Sequence, residues 1–164
     1  MEFIKIRNVK NPERDVQENA GIDFYIPEKN SFSDEELKSF GTEVSFKDNK
    51  IIIHPHGSVI IPSGIMSKFA NNIALIANNK SGIATKKQLI FGASVIDSSY
   101  QGEWHFHLIN TSNNMQTIEF GQKIIQFIPH LISTDEIIIR NMSPAEFFTE
   151  NTKRGDGKFG STGV

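Results

Sequence analysis

Short runs of β-branched and aromatic residues recur along the whole chain: Phe3–Arg7, Ile22–Ile26, Thr42–Phe46, Ile51–His54, Val59–Pro62, Ile73–Ala77, Leu89–Phe91, Trp104–Asn110, Met115–Phe120, Lys123–Pro129 and Glu136–Arg140. Gly, Pro, Asn and Ser separate nearly all of them, so each reads as a strand bounded by turns. Alternation is clearest in Trp104-His105-Phe106-His107-Leu108-Ile109, which puts Trp104, Phe106 and Leu108 on one face. Many short strands with turn punctuation predict an all-β sandwich, barrel or jelly roll. Helix is scarce. Ser33-Asp34-Glu35-Glu36-Leu37 and Ser143-Pro144-Ala145-Glu146-Phe147 read as capping boxes, each followed by too few residues for more than about two turns. Residues 28–50 are the most polar stretch and are expected to form a surface excursion.

At 164 residues the chain falls in the single-domain range and needs no metal or disulfide staple to bury a core. Seventeen basic and nineteen acidic side chains leave a net charge of −2, so no global field recruits nucleic acid or an anionic membrane. Any anion site must therefore be local. The absence of cysteine excludes a disulfide scaffold, a thiolate metal site and a cysteine nucleophile. No apolar run is long enough to span a bilayer, and Met1–Arg7 lacks a signal-peptide h-region, so a cytoplasmic protein is expected.

Four stretches carry candidate chemistry. Arg154-Gly155-Asp156-Gly157-Lys158-Phe159-Gly160-Ser161-Thr162-Gly163-Val164 reads either as a phosphate clamp or as a frayed polar terminus. Its glycines leave backbone N–H groups open to an anion, Arg154 offers a planar fork, and Ser161 and Thr162 add hydroxyls. In Asn79-Lys80-Ser81-Gly82, a basic residue, a hydroxyl and a glycine precede a possible helical turn, which suits either a phosphate or a plain capped turn. Gly92-Ala93-Ser94-Val95-Ile96-Asp97-Ser98-Ser99-Tyr100-Gln101-Gly102-Glu103 sets small residues ahead of a carboxylate that can orient or deprotonate a water, with Tyr100 three positions on, at a hairpin bend. Ala20-Gly21-Ile22-Asp23 places an Asp at a strand start and is by itself nearly uninformative. The pairs His54/His56 and His105/His107 would each share a face in a strand, yet no further ligand completes a zinc set, and structural or surface histidines are expected.

Taken together and in this order, these stretches resemble the trimeric dUTPase family, whose members hydrolyse dUTP to dUMP and pyrophosphate. Ala20–Asp23 looks like the first family motif, Lys80-Ser81-Gly82 the second, Val95–Asp97 with Tyr100-Gln101-Gly102 the third, Gly121-Gln122-Lys123-Ile124-Ile125-Gln126 the fourth, and the tail the fifth. The resemblance implies a homotrimeric, distorted jelly-roll β-barrel over 1–150, with active sites shared between subunits, and a glycine-rich lid over 151–164. It implies that Asp97 polarises the water attacking the α-phosphorus and that Tyr100 stacks on the deoxyribose. The backbone around Ala93, Ser94, Val95 and Ile96, with His105 on the returning strand, would read uracil. Lys80, Ser81, Gly82 and Gln126 would face the triphosphate. Arg154, Gly160, Ser161 and Thr162 would close on its γ end while Phe159 covers the base. Mg²⁺ would be held mainly by phosphates and waters, with Asp23 contributing indirectly. Such an enzyme limits uracil incorporation into DNA and supplies dUMP for dTMP synthesis.

Departures from the family pattern qualify individual positions. Lys80 stands where an arginine is usual, which keeps charge but loses the bidentate fork. Ser94 replaces a usual glycine, and costs about 1 kcal/mol if that position needs positive φ. Gln122 and Lys123 replace an acidic residue and an arginine, which puts a structural ion pair in question. A dCTP deaminase would share the fold, but the Val-Ile-Asp hairpin with its Tyr belongs to the hydrolase. A single-stranded nucleic-acid barrel is disfavoured because the aromatics are not interleaved with a basic stripe.

Overall fold

The computed structural model describes residues 1–150 and Thr152. The chain divides into two units, Met1–Thr134 and Asp135–Val164, earlier in the sequence than the boundary expected at 150. The first unit carries twelve strands: β1 (Glu2–Lys5), β2 (Ile22–Tyr25), β3 (Val44–Lys47), β4 (Lys50–Ile53), β5 (Ser58–Pro62), β6 (Ile65–Lys68), β7 (Ile73–Asn79), β8 (Leu89–Phe91), β9 (Val95–Asp97), β10 (His105–Asn110), β11 (Gln116–Glu119) and β12 (Lys123–Leu131). Two α-helices interrupt them, α1 (Asp34–Ser39) and α2 (Ser81–Lys87). Four antiparallel sheets result, in the orders β1-β6, β5-β10-β8, β11-β4-β3 and β2-β12-β7-β9.

Period-two burial in β10 follows the predicted alternation, with Trp104, Phe106 and Leu108 fully buried. Their rings meet those of β2 and β12: Phe24 lies 5.2 Å from Trp104 and Phe127 lies 5.0 Å from it, centroid to centroid. Phe24 meets Phe127 edge-on at 5.3 Å, the arrangement aromatic quadrupoles favour. In β12 the register against β2 shifts between Lys123 and Ile125, so Ile124 and Ile125 are both buried although they are neighbours in sequence.

Residues 28–50 are more integrated than a surface excursion. Phe32 and Phe40 are buried, with ring centroids 5.1 Å apart, and Phe40 and Phe120 both meet Phe46. The polar residues of the stretch face outward around this aromatic anchor, including the capping box of α1, where Ser33 Oγ accepts from Glu36 N. Strands β6 and β9 go beyond the pattern of apolar runs. Each is short, and becomes a strand only because a distant segment offers an edge, β1 for β6 and β7 for β9.

In the second unit the expected strand over Glu136–Arg140 does not form, and Ile137, Ile138 and Ile139 are exposed. β-propensity expresses itself as packing on a neighbouring strand, so an isoleucine run without a ladder stays irregular. Helix α3 (Pro144–Phe147) forms as expected, with both halves of the Ser143/Glu146 capping box present.

Candidate active site

Strand β7 organises two functional regions. At its C-terminal end Lys80 extends the chain into α2. A cleft of about 440 Å³ opens there, lined by Lys80, Ser81, Gly82, Ile83, Lys123 and Gln126. Four of the expected phosphate-facing residues therefore lie together. Gly82 has open space where a Cβ would stand, leaving its backbone accessible. Gln126 donates through Nε2 to Asn79 O at 3.2 Å and leans so close to Gly21 that a side chain at Gly21 would overlap its Oε1. That contact is the physical use of the small residue in the first motif.

Under the cleft lies Asp23, only 7% exposed. Lys80 Nζ donates to its Oδ1 at 2.6 Å, and Lys123 Nζ reaches its Oδ2 at 3.1 Å. Lys123 also pairs with Glu13 at 2.7 Å and Asp15 at 3.3 Å. Glu13 is clamped to Asp23 by reciprocal backbone hydrogen bonds and accepts from the Tyr25 hydroxyl. Lys123 thus sits in an ion-pair cluster with Glu13, Asp15 and Asp23, whereas the Gln122 side chain makes a hydrogen bond, its Oε1 accepting from Glu119 N at 2.9 Å. The hydrogen bond to Glu13 raises the Lys123 ammonium above its ordinary range, reinforced by Asp23. The same bond lowers Glu13, and Tyr25 adds to the effect. Lys123 is absent from the site expected from sequence. Its place in the fourth motif is the available signal.

The second region is the hairpin at the other end of β7. Val95, Ile96 and Asp97 pair with Ile76, Leu75 and Ala74, and Ser94 O accepts from Ala77 N at 2.7 Å. Ser94 is not among the residues with positive φ, so serine carries no backbone penalty there. Asp97 ends β9 with its side chain exposed, and its carbonyl accepts from Tyr100 N at 3.1 Å, closing a turn. Tyr100 folds back over Gly102, where a Cβ would stand 2.5 Å from the hydroxyl, and donates to Glu103 O at 2.9 Å. His105 Nδ1 contacts the same carbonyl at 3.0 Å. The Glu103 carboxylate is locked by Gly64 N at 2.7 Å and by both Nε and Nη2 of Arg7 at 2.7 and 3.0 Å. Arg7 and Glu103 therefore anchor the turn that presents Asp97 and Tyr100, although no sequence motif marks either as part of the site.

Within one chain Asp97 and Lys80 are far apart. Asp97 is paired with Ala74, six residues before Lys80, which is about 20 Å along an extended strand. Among the described residues no group of three or more His, Asp or Glu side chains is placed to hold a metal, and both oxygens of Asp23 are engaged by lysines. The described residues thus do not form a cage for a protein-held Mg²⁺. Arg154, Phe159, Gly160, Ser161 and Thr162 lie outside the described residues.

The chain matches the family model described as dUTPase over residues 41–163. It is 34% identical over 118 residues to a deoxyuridine 5'-triphosphate nucleotidohydrolase of Wolbachia pipientis subsp. Culex pipiens, covering 71% of this chain and 74% of that protein. A protein of the same description from Hydrogenobaculum is 28% identical over 152 residues, covering 91% and 94%. In fold the chain is similar to Staphylococcus bacteriophage 80alpha dUTPase with dUPNHPP, at a TM-score of 0.75, 19% identity and coverage of 99% and 98%. The family-model match over most of the chain and the relative at 34% identity agree with the shared fold, and the chain belongs to the dUTPase family.

Proposed function

We propose that this chain hydrolyses dUTP to dUMP and pyrophosphate, through Asp97-assisted attack of water on the α-phosphorus. The observation that carries the reading is the exposed Asp97 at the head of a turn in which Tyr100 is folded back and Glu103 is locked by Arg7. A carboxylate held at a rigid bend can orient a water and accept its proton as the P–O bond forms, and the bridging oxygen leaves with pyrophosphate. Tyr100 packs on the deoxyribose, where a 2′-hydroxyl would collide with its ring. Backbone groups of Ala93, Ser94, Val95 and Ile96, with His105 on the returning strand, read the uracil edge. A wrong base leaves buried polar groups unpaired, at about 1–3 kcal/mol each.

The triphosphate lies along Lys80, Ser81, Gly82 and Gln126. Mg²⁺, when bound, would be held mainly by the substrate's phosphates and waters and would neutralise their charge, as suits a cation that dehydrates reluctantly. Asp23 contributes through architecture, fixing the two lysines beside the cleft. The separation of Asp97 from Lys80 along β7 supports sites completed between copies, and the family resemblance sets their number at three. Arg154, Ser161 and Thr162, by their donor chemistry, suit the γ-phosphate, and Phe159 suits a flat base.

A hydrolysis panel of dUTP, UTP, dCTP and dTTP tests the substrate, with Asp97→Asn as the mechanistic control. The expected result is selective release of pyrophosphate from dUTP and a loss of about 10²–10⁴ in kcat for the variant. A variant rate within about tenfold of wild type would remove Asp97 from the chemistry.

A further inference from the structure

His107, expected from the sequence to be a structural or surface histidine, stands on β10 directly across from the loop Gly92–Ser94 and holds two successive backbone amides of that loop. Its carbonyl accepts from Gly92 N at 3.0 Å, and its ring Nδ1 accepts from Ala93 N at 3.3 Å. Gly92 is not at positive φ, so its backbone conformation does not call for glycine. What calls for glycine is the ring. A Cβ at Gly92 would stand 2.6 Å from His107 Cε1 and overlap Nδ1. Ring and glycine therefore form one seated contact. On its flanks the loop is held by Phe91 N donating to Asn79 Oδ1 at 2.9 Å and by Ala77 N donating to Ser94 O at 2.7 Å. Between these two ties, the amides of Gly92 and Ala93 belong to His107.

We infer that His107 is a positioning residue for base recognition, setting the height and direction of the Ala93–Val95 backbone through an imidazole acceptor at Nδ1. The inference rests on the assignment of that backbone to uracil readout. To accept from Ala93 N–H, Nδ1 must be unprotonated, so the neutral ring carries its proton on Nε2. An apolar side chain of similar bulk would fill the space and leave the Ala93 amide without its partner. The loop would then gain freedom just where a fixed donor and acceptor pattern separates uracil from cytosine. Because His107 touches backbone, its effect falls on substrate binding and base choice and spares the water-activating step at Asp97.

The test compares wild type with His107→Val and His107→Asn, whose amide oxygen can replace the Nδ1 acceptor, using steady-state hydrolysis of dUTP and dCTP. Expected for His107→Val are a KM for dUTP raised about fivefold, kcat within about twofold, and a kcat/KM preference for dUTP over dCTP reduced by a similar factor. His107→Asn is expected to recover most of both losses. In a double-mutant cycle, Gly92→Ala is expected to raise KM in the wild-type background and to have little further effect in His107→Ala, because the clash needs the ring. An unchanged KM and base preference in His107→Val, a failure of Asn to outperform Val, or additive Gly92 and His107 effects would each overturn the inference. Exchange of the Ala93 amide, measured without nucleotide, keeps the two claims apart. It is expected to quicken about fivefold in His107→Val and to return in His107→Asn, and no difference between variants overturns the clamp. Failure of the wild-type chain to turn over dUTP would instead overturn the functional reading.

Discussion

Replacing Arg7 by methionine keeps an unbranched apolar stem and deletes the guanidinium, whose carbon stands 5.0 Å from the Phe32 ring centroid and whose fork ties three segments together. Arg7 gives Glu103 two hydrogen bonds, donates to Ser31 O at 3.0 Å and pairs with Glu36 at 2.8 Å. Its side chain is 16% exposed and that of Glu103 15%. After the substitution Glu103 keeps only the Gly64 N–H, as a largely buried carboxylate without its cation. Breaking a buried pair this way costs about 3–5 kcal/mol, and charge-assisted hydrogen bonds contribute about 1.5–3 kcal/mol each. Partial access of water to both groups brings the expectation down to about 2–4 kcal/mol.

The assay is urea unfolding at one fixed protein concentration, since assembly makes apparent stability concentration-dependent. With a urea slope of about 2 kcal/mol/M the midpoint falls by about 1–2 M. Glu103→Gln and the double variant complete a cycle, with an expected coupling above about 1.5 kcal/mol. Glu36 offers an internal control. Its side chain is 38% exposed, so Glu36→Gln is expected to shift the midpoint clearly less than Glu103→Gln. A loss below about 1 kcal/mol for Arg7→Met, or equal effects at Glu36 and Glu103, would refute the reasoning that burial sets the strength of this tie. The same variant is expected to raise KM, because the Glu103 carbonyl receives the Tyr100 hydroxyl.

Other outcomes follow from the same geometry. Phe24→Ala, which removes a fully buried ring contacting Trp104 and Phe127, is expected to cost about 3–5 kcal/mol in the same unfolding assay. Lys80→Met is expected to raise KM for dUTP more than it lowers kcat, and an unchanged KM in steady-state assays would remove Lys80 from phosphate contact. Glu13 and Glu36 are lowered in the folded state, by Lys123 and by the Ser33 backbone N–H respectively, so their contribution is present above the unfolded carboxylate range and is lost as pH falls through their folded values. Stability measured across pH should therefore drop below about pH 4.3. Lys123 is raised by Glu13 and Tyr25 by burial, so their contribution is complete below about pH 10 and is lost above it as the folded-state groups deprotonate. A flat profile at either end would show that these contacts do not persist in solution.

Local chemistry alone determined much of this protein. Alternation placed Trp104, Phe106 and Leu108 inward, two capping boxes placed α1 and α3, and the order of the motif stretches pointed to the family, because each depends on residues close in sequence. Tertiary structure decided what depends on distant partners. Ile137-Ile138-Ile139 has the composition of a strand, yet it stays exposed because β-propensity is realised only against a neighbouring strand. Val95–Asp97 became a strand because β7 offered it an edge, and the polar 28–50 stretch became anchored because Phe32 and Phe40 found the core. Nothing in the spacing of Arg7, Glu103 and Gly64, or of His107 and Gly92, shows that they touch. Those contacts cross between strands, and the register that makes them is set by the packing of whole sheets.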